Sequence, residues 1–311
     1  MKKVVVAGSI NMDLVTVCER APKGGETLFG KEFFQVPGGK GANQAVAIGK
    51  LGTQVTMLGK IGNDSFGKDL ISSMNDSGVN TEYIENSTLS TGIAKIIVEE
   101  NGQNRILVVS GANMDVDKAY IDRHIEVINN ADILVTQLEI PMDTVEYVLK
   151  KAKEAGKMTI LNPAPAALLN DEIIKNSDII IPNESELGII TGMPTNTLEE
   201  IEAAAQKLLN MGVKELIVTL GSQGSLHLNK KGSMLHTAYK VKAVDTTAAG
   251  DSFIGGLVRN ILADNLDEAI EFATKVSAIT VTRKGAQISI PTIKEVENFK
   301  GEKNEKKQIT K

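Results

Sequence analysis

The sequence predicts an α/β fold: a doubly wound, mostly parallel sheet with helices on both faces and a small accessory β-sheet lid. Two observations carry the main layer. Short Val/Ile/Leu runs alternate with longer amphipathic stretches over most of the 311 residues, and uninterrupted apolar strands separated by helices indicate parallel strands covered on both sides. A third observation carries the lid. Residues 13–19, 27–36 and 91–110 break the alternation, with strand following strand and no helix between.

The main-sheet strands are expected at 3–8 (KVVVAG), 54–61 (QVTMLGKI), 132–137 (DILVTQ), 157–162 (KMTILN), 178–182 (DIIIP) and 214–220 (KELIVTL). Helical periodicity occupies 41–51, 66–77, 143–155, 184–191 and 198–211, and two more helices are expected near 249–263 and 266–283. Within 91–110, GIAKIIVEE and RILVV flank Asn101-Gly102, a dipeptide suited to the positive φ of a tight hairpin. These extra strands are assigned to a separate small sheet, with an antiparallel extension of the main sheet as the alternative. Neither a repeat nor a linker interrupts the chain, so one domain is expected over 1–299. The segment 300–311 (KGEKNEKKQITK) has almost no apolar content and reads as a disordered, charged tail.

Composition narrows the function. A net charge of -5 gives no general footprint for a phosphate backbone, which excludes nucleic acid as the expected partner. Cys18 is the single cysteine, so neither an intramolecular disulfide nor a Cys-based zinc site is expected. The opening MKKVVVAGSINMD has too short an apolar run for a signal peptide and reads as a buried first strand. Nor does any apolar run approach the roughly 18 residues that would cross a bilayer. A soluble, cytoplasmic protein with no membrane partner is expected.

The most informative segment is 243–257, AVDTTAAGDSFIGGL. Small residues opening a helix leave its first N–H groups uncovered, and the helix dipole adds positive potential there. Ala248, Ala249 and Gly250 thus form a candidate anion hole for phosphoryl oxygens. Asp251 falls in the first turn beside it, where a carboxylate can accept the proton of an attacking hydroxyl. The plainer alternative, a carboxylate that only caps the helix, is outweighed by the whole stretch and the following Gly255-Gly256.

Other segments gather by position. PGGKGANQAVAIGKLG (37–52) places a glycine cluster, Lys40 and Asn43 at the start of a helix, and by itself suits phosphate or sugar equally. Gln44 stands where a dinucleotide fingerprint would need its third glycine, so that motif is absent. Two spans, from Gly25 to Lys31 and from Gly62 to Lys68, imitate a P-loop. Each is followed by an acidic residue, Glu32 or Asp69, in place of Ser/Thr, so neither is a Walker site. Ligands of open α/β sheets collect at the carboxyl ends of strands. That rule selects Asn11 and Asp13, Gln137 and Glu139, Asn162, Asn183 and Glu186, and the loop TLGSQG (219–224).

PGGKGANQAVAIGKLG and DTTAAGDSFIGGL resemble the two signatures of the ribokinase-like family of carbohydrate and nucleoside kinases, and the likeness extends over about residues 3–293. GSINMD, QLEIP, PNESE, TLGSQG and VTRKGAQISIP resemble its ribose-phosphorylating branch more closely than its other branches. The resemblance implies ATP-dependent phosphorylation of a sugar hydroxyl, with the 5-hydroxyl of ribose expected first and 2-deoxyribose as the alternative. A non-catalytic sugar-binding regulator is disfavoured, because Asp251 and the anion hole are both present. Carried over by position, the resemblance assigns Asn11, Met12, Asp13, Gly39, Lys40, Gly41, Ala42, Asn43 and Glu139 to the sugar, and Asp251 to catalysis as the base. It assigns Asn183, Thr219, Leu220, Gly221, Ser222, Gln223, Gly224, Gly250 and Thr274 to ATP. Gln223 and Thr274 depart from the pattern, which has arginine and, in some members, histidine there. Glu186 completes an N-x-x-E pattern that implies Mg2+ held through water. Asp245, Thr247, Thr280, Arg283, Gly285 and Ser289 are implied for K+, and a homodimer through the lid is implied as the assembly.

Overall fold

The computed structural model describes residues 2–261 and 265–304. Among the described residues, the main sheet has nine strands. Their order from one edge is Gly232–His236, Ser225–Asn229, Glu215–Thr219, Ile179–Ile180, Met158–Leu161, Ile133–Thr136, Lys3–Ala7, Gln54–Leu58 and Val79–Asn80. From Glu215–Thr219 to Val79–Asn80 every pairing is parallel, and the first two strands add an antiparallel hairpin at the edge. The order turns back at Lys3–Ala7, whose neighbours are Ile133–Thr136 and Gln54–Leu58. This is the kind of switch point where open α/β sheets bind ligands.

The apolar strand runs are read from both sides. Val4, Val6, Ile133 and Val135 face the helices Lys40–Lys50 and Ala249–Asn260 through Ala42, Val46, Ile254 and Leu257. Val5, Ala7 and Leu134 face the opposite layer, where Val145, Val148 and Leu149 of Met142–Glu154 and Leu208 of Leu198–Asn210 pack. Period-two alternation within a continuous apolar strand serves both layers at once. Gly255 and Gly256 belong to this packing. A Cβ on Gly255 would stand 2.4 Å from the Ala47 Cβ, and one on Gly256 would stand 2.8 Å from the Ala273 Cα. The pair lets three helices touch.

The lid is a separate four-stranded sheet in the order Glu32–Gly38, Asn11–Cys18, Gly92–Glu99, Asn104–Val109. The alternative, an extension of the main sheet, does not hold. Asn11–Cys18 pairs antiparallel with Glu32–Gly38 and parallel with Gly92–Glu99, and has no partner in the main sheet. The strand expected at 27–36 begins only at Glu32. The strand expected at 54–61 breaks at Gly59, whose N–H donates to the buried Tyr120 hydroxyl at 2.7 Å. After the break, Lys60–Gly62 pairs with Glu85–Ser87 instead. The expected helix 249–263 ends at Asn260, and positions 262 and 263 lie outside the described residues.

Part of the expected tail is paired. The Lys240 N–H donates to the Glu302 carbonyl at 2.7 Å and the Asn304 N–H to the Ala238 carbonyl at 2.8 Å. Tyr239 meets Phe299 edge to face beside this pairing. The remainder, 305–311, lies outside the described residues. Among the described residues no helix is long and apolar enough to cross a membrane.

Candidate active site

The loop after the first strand, the start of helix Lys40–Lys50 and the start of helix Ala249–Asn260 converge on Asp251. Gly39 and Gly41 make the convergence possible. A Cβ on Gly39, whose φ is +87°, would lie 2.7 Å from the Asn11 nitrogen, and one on Gly41 would lie 2.6 Å from the Ser9 nitrogen. The glycine cluster therefore brings one backbone against another, the helix start against the loop at 8–11.

Asp251 is buried and does not cap its helix. Ala248 occupies the cap position and no side chain caps it. Ala248 is the one non-glycine among the described residues with positive φ, at 59°, a conformation that costs about 1–3 kcal/mol and gathers at functional sites. The Ala249 N–H closes a turn on the Thr246 carbonyl at 3.1 Å. The fold gives the N–H groups of Gly250 and Asp251 no acceptor among the described residues. Of the three residues expected to form an anion hole, Gly250 keeps its N–H free, and the Ala249 N–H is used within the turn.

Two side chains orient the carboxylate. Asn43 Nδ2 donates to Asp251 Oδ2 at 3.0 Å, and Gln44 Nε2 donates to Asp251 Oδ1 at 3.0 Å. Both amides are held in turn. Gln44 Oε1 accepts from Gln137 Nε2 at 2.6 Å, Gln44 Nε2 also donates to Asn162 Oδ1 at 3.1 Å, and Asn43 Oδ1 accepts from Gln287 Nε2 at 3.2 Å. Burial pushes the Asp251 pKa up, opposed by Lys40 and then by the Asn43 and Gln44 amides.

Lys40 sits among carboxylates. Burial lowers its pKa, but Asp251, Glu139, Glu186 and Asp13 raise it further, so it stays an ammonium. Asp13 is pushed up to about 7, by burial first and then by Glu139 and Asp251, against Lys40. Glu139 Oε2 accepts from the Ser9 hydroxyl and from the Lys40 N–H at 3.0 Å. Half of that carboxylate therefore pins the helix start to the first loop. Asn11 is buried, and its Oδ1 accepts from Asn113 Nδ2 at 2.7 Å. Met12 is buried and faces the core beneath the lid.

Of the residues expected at ATP, Asn183 and the 219–224 loop lie at the carboxyl ends of neighbouring strands, whereas Gly250 and Thr274 lie on helices. Asn183 bridges Thr219, and the 219–224 loop turns through Gly221, Ser222 and Gln223 to Gly224. Gly224 has φ +109°, and a Cβ there would lie 1.9 Å from the His236 carbonyl oxygen. Leu220 is buried and Gln223 exposed. Asn183 and Glu186 form a capping box on helix Glu184–Thr191, with the Asn183 N–H on Glu186 Oε2 at 2.9 Å and the Glu186 N–H on Asn183 Oδ1 at 2.8 Å. Burial raises the Glu186 pKa. Thr274 is buried, with its hydroxyl donated to the Ile270 carbonyl at 2.8 Å.

The segment 280–289 does return to the loop before Asp251. The Val244 and Asp245 N–H groups both donate to the Val281 carbonyl. Asp245 Oδ1 accepts from the Thr247 N–H and hydroxyl, and Oδ2 from the Gly285 N–H at 2.9 Å. Burial pushes its pKa up, yet these donors hold it below the usual value. A carboxylate offers about four lone-pair sites, so these three bonds leave Asp245 roughly one. The Thr280 and Ser289 hydroxyls are bonded to the Val276 and Ala286 carbonyls, and Arg283 pairs with Glu295 at 2.8 Å.

Sequence reasoning missed Gln44, Ser9, Asn113 and Gln287 as members of this site. Gln44 and Gln287 lie within segments already singled out, and only their burial separates them from surface amides. The P-loop imitation at Gly62 resolves as a helix start, with Asp64 accepting from the Gly67 N–H at 2.9 Å.

A family model described as pfkB family carbohydrate kinase matches residues 1–293. A ribokinase of Schizosaccharomyces pombe is 45% identical over 98% of this chain and 100% of its own length. A deoxyribokinase of Salmonella typhi is 39% identical over 95% of this chain and 98% of its own. A solved structure of Arabidopsis thaliana ribokinase, complexed with ribose and ATP, superposes with a TM-score of 0.90 at 35% identity, over 96% of this chain and 99% of that one.

Proposed function

The chain belongs to the pfkB family of carbohydrate kinases, and from that premise we propose that it transfers the γ-phosphoryl group of ATP to the 5-hydroxyl of D-ribose, giving ribose 5-phosphate and ADP. One observation carries the chemistry: a buried Asp251 carboxylate, oriented by two amides, stands beside helix N–H groups that have no acceptor. Asp251 takes the proton of the attacking hydroxyl. The Gly250 N–H, the helix dipole and Lys40 meet charge on the transferring group, so catalysis is mostly positioning and electrostatics.

Asp13, the free oxygen of Glu139, Lys40, Asn43 and the Asn11 backbone are the polar groups for sugar hydroxyls, with Gly39, Gly41 and Ala42 shaping the wall. Asn183, the 219–224 loop and Thr274 border the nucleotide. Mg2+ prefers oxygen donors, and the Glu186 oxygen left free by the capping box suits one held through water; bound with ATP, the ion would neutralise phosphate charge. Asp245, with carbonyls of 280–289, suits K+. The exposed apolar lid suits a homodimer.

The deoxyribokinase at 39% identity favours 2-deoxyribose as a second reading. ADP release with ribose and 2-deoxyribose decides between them. A pocket that hydrogen-bonds the 2-hydroxyl should give ribose a kcat/KM at least about tenfold higher, and equal values would favour the second reading. Asp251→Asn should lower kcat by about 10²–10⁴-fold with little change in either KM. Retention of more than about a tenth of the rate would remove Asp251 as the base.

A further inference from the structure

A second cluster of ionisable side chains lies away from Asp251, where the edge hairpin of the main sheet meets the start of helix Leu266–Thr280. His227 lies on strand Ser225–Asn229 and His236 on strand Gly232–His236. The register pairs Ser225 with His236, which places the two imidazoles diagonally on one face of the hairpin. Asp267, in the first turn of the helix, covers that face. Both histidines are buried, His227 at 8% and His236 at 3% exposure.

All four ring nitrogens face carboxylate oxygens. His227 Nε2 lies 2.7 Å from Glu215 Oε2, and His236 Nδ1 lies 3.1 Å from Glu271 Oε1. The other two nitrogens converge on a single atom, with His227 Nδ1 at 3.3 Å and His236 Nε2 at 3.2 Å from Asp267 Oδ1. Two neutral imidazoles carry two N–H groups between them, too few for four such contacts. With those hydrogens on Glu215 and Glu271, two lone pairs meet an anionic oxygen across an unfilled gap. His236 Nε2 is indeed buried with no hydrogen-bond partner.

We propose that His227 Nδ1, His236 Nε2 and Asp267 form a binding site for one divalent transition-metal ion of the zinc class. A tetrahedral centre with bonds of about 2.0–2.1 Å sets its ligand atoms about 3.3 Å apart. The two separations to Asp267 match that edge, and all three ligand atoms lie within 4.8 Å of one another. Glu215 and Glu271 then hold the second ring nitrogens, the carboxylate–histidine–metal arrangement that fixes tautomer and ring orientation. Charge favours the ion as well. Three carboxylates surround the two rings, and Lys303, paired with Glu271, is the one cation ion-paired with them among the described residues. A fourth coordination position falls to water. The ion would fasten the edge hairpin to the helix, directly behind the 219–224 loop, since the His236 carbonyl lies against Gly224.

The test uses the full chain stripped with a chelator and then titrated with ZnCl2, and in parallel with Co2+, by calorimetry and visible absorption. The expected result is one ion per chain with a Kd of about 1 μM or tighter, a tetrahedral Co2+ spectrum, and a higher Tm with Zn2+. Asp267→Asn, at a part-exposed position in the first turn of the helix, and Glu271→Gln should each weaken binding by about 10–100-fold. His227→Gln should abolish the Co2+ spectrum. Absence of saturable binding by the wild type would overturn the site. Affinity unchanged in Asp267→Asn and His227→Gln would do the same, because the ion would then sit on other carboxylates.

Discussion

Replacing Gln44 with methionine keeps the volume of the side chain and removes one of the two donors to Asp251. In the wild type Gln44 Nε2 lies 3.0 Å from Asp251 Oδ1, and Asn43 serves the other oxygen. A hydrogen bond to a charged group contributes about 1.5–3 kcal/mol, and one pKa unit corresponds to about 1.4 kcal/mol. Loss of this donor removes stabilisation of the carboxylate form, so the Asp251 pKa, already raised by burial, should rise by about one to two further units. With Asp251 as the proposed base, phosphoryl transfer needs its carboxylate, so the acid limb of the kcat–pH profile should move to higher pH by the same amount. At pH well above that limb the rate should recover much of its wild-type value. The assay is ADP release at saturating ribose and ATP between about pH 5 and 9. A uniformly lower kcat with the limb unmoved would refute the reasoning, because Gln44 would then only support packing. Gln44→Glu should fail more severely, since a second carboxylate would face the first and leave Gln137 as its sole donor.

Asp13, pushed up to about 7, is largely protonated below that pH and accepts fewer sugar hydrogen bonds. The ribose KM should therefore rise as pH falls through 7, and Asp13→Asn should flatten the dependence while raising KM throughout; a wild-type KM independent of pH between 6 and 8 would contradict this assignment. Potassium should raise kcat over sodium or a bulky organic cation at fixed ionic strength, and Asp245→Ala should abolish the difference; identical kcat with all three would remove the cation site. The lid carries Phe33 and Leu107 at 61% and 67% exposure, so sedimentation should give a dimer at micromolar concentration, which Leu107→Glu should dissociate; a wild-type monomer would dismiss the lid as an interface.

What the sequence revealed of the fold follows from burial on two sides. The strand at Lys3–Ala7 and its parallel neighbours bear continuous apolar runs because helices cover both faces, and such runs are visible without a partner. The edge hairpin was not visible for the opposite reason. SLHLN and GSMLH mix polar and apolar residues: Gly232–His236 is an edge strand exposed along most of its length, and the histidine face meets Asp267 at the start of helix Leu266–Thr280. With the hairpin went the two histidines, whose meeting depends on strand register and not on spacing in sequence. The glycines were legible as motif positions, and the structure adds what each one touches. Gly39 and Gly41 mark contact between backbones, and Gly255-Gly256 marks helix packing. Gln44 was legible only as a residue that spoiled another motif, since an amide shows its role through its partners across the fold.

On the proposed function, the charges of the site explain why its phosphate side would be built from backbone. Around the single ammonium of Lys40 stand Asp13, Glu139, Glu186 and Asp251, an excess of negative charge in a buried place where like charges interact strongly. ATP would add more. Burial works against this charge, with Asp13 pushed up to about 7 and the pKa values of Asp251 and Glu186 raised above their ordinary values. Any further side-chain cation near the attacking hydroxyl would, like Lys40, act on Asp251 and weaken the proposed base. Helix N–H groups escape that conflict, because they carry partial positive charge and cannot transfer a proton or form a salt bridge that draws the carboxylate away. The strained Ala248 turn is what frees them: it starts the helix at Ala249 with no side-chain cap, so the Gly250 and Asp251 N–H groups are left without an acceptor among the described residues. Ions held at Glu186 and near Asp245 would complete the balance from outside the ring of carboxylates, which is why their removal should act on kcat before it acts on sugar binding.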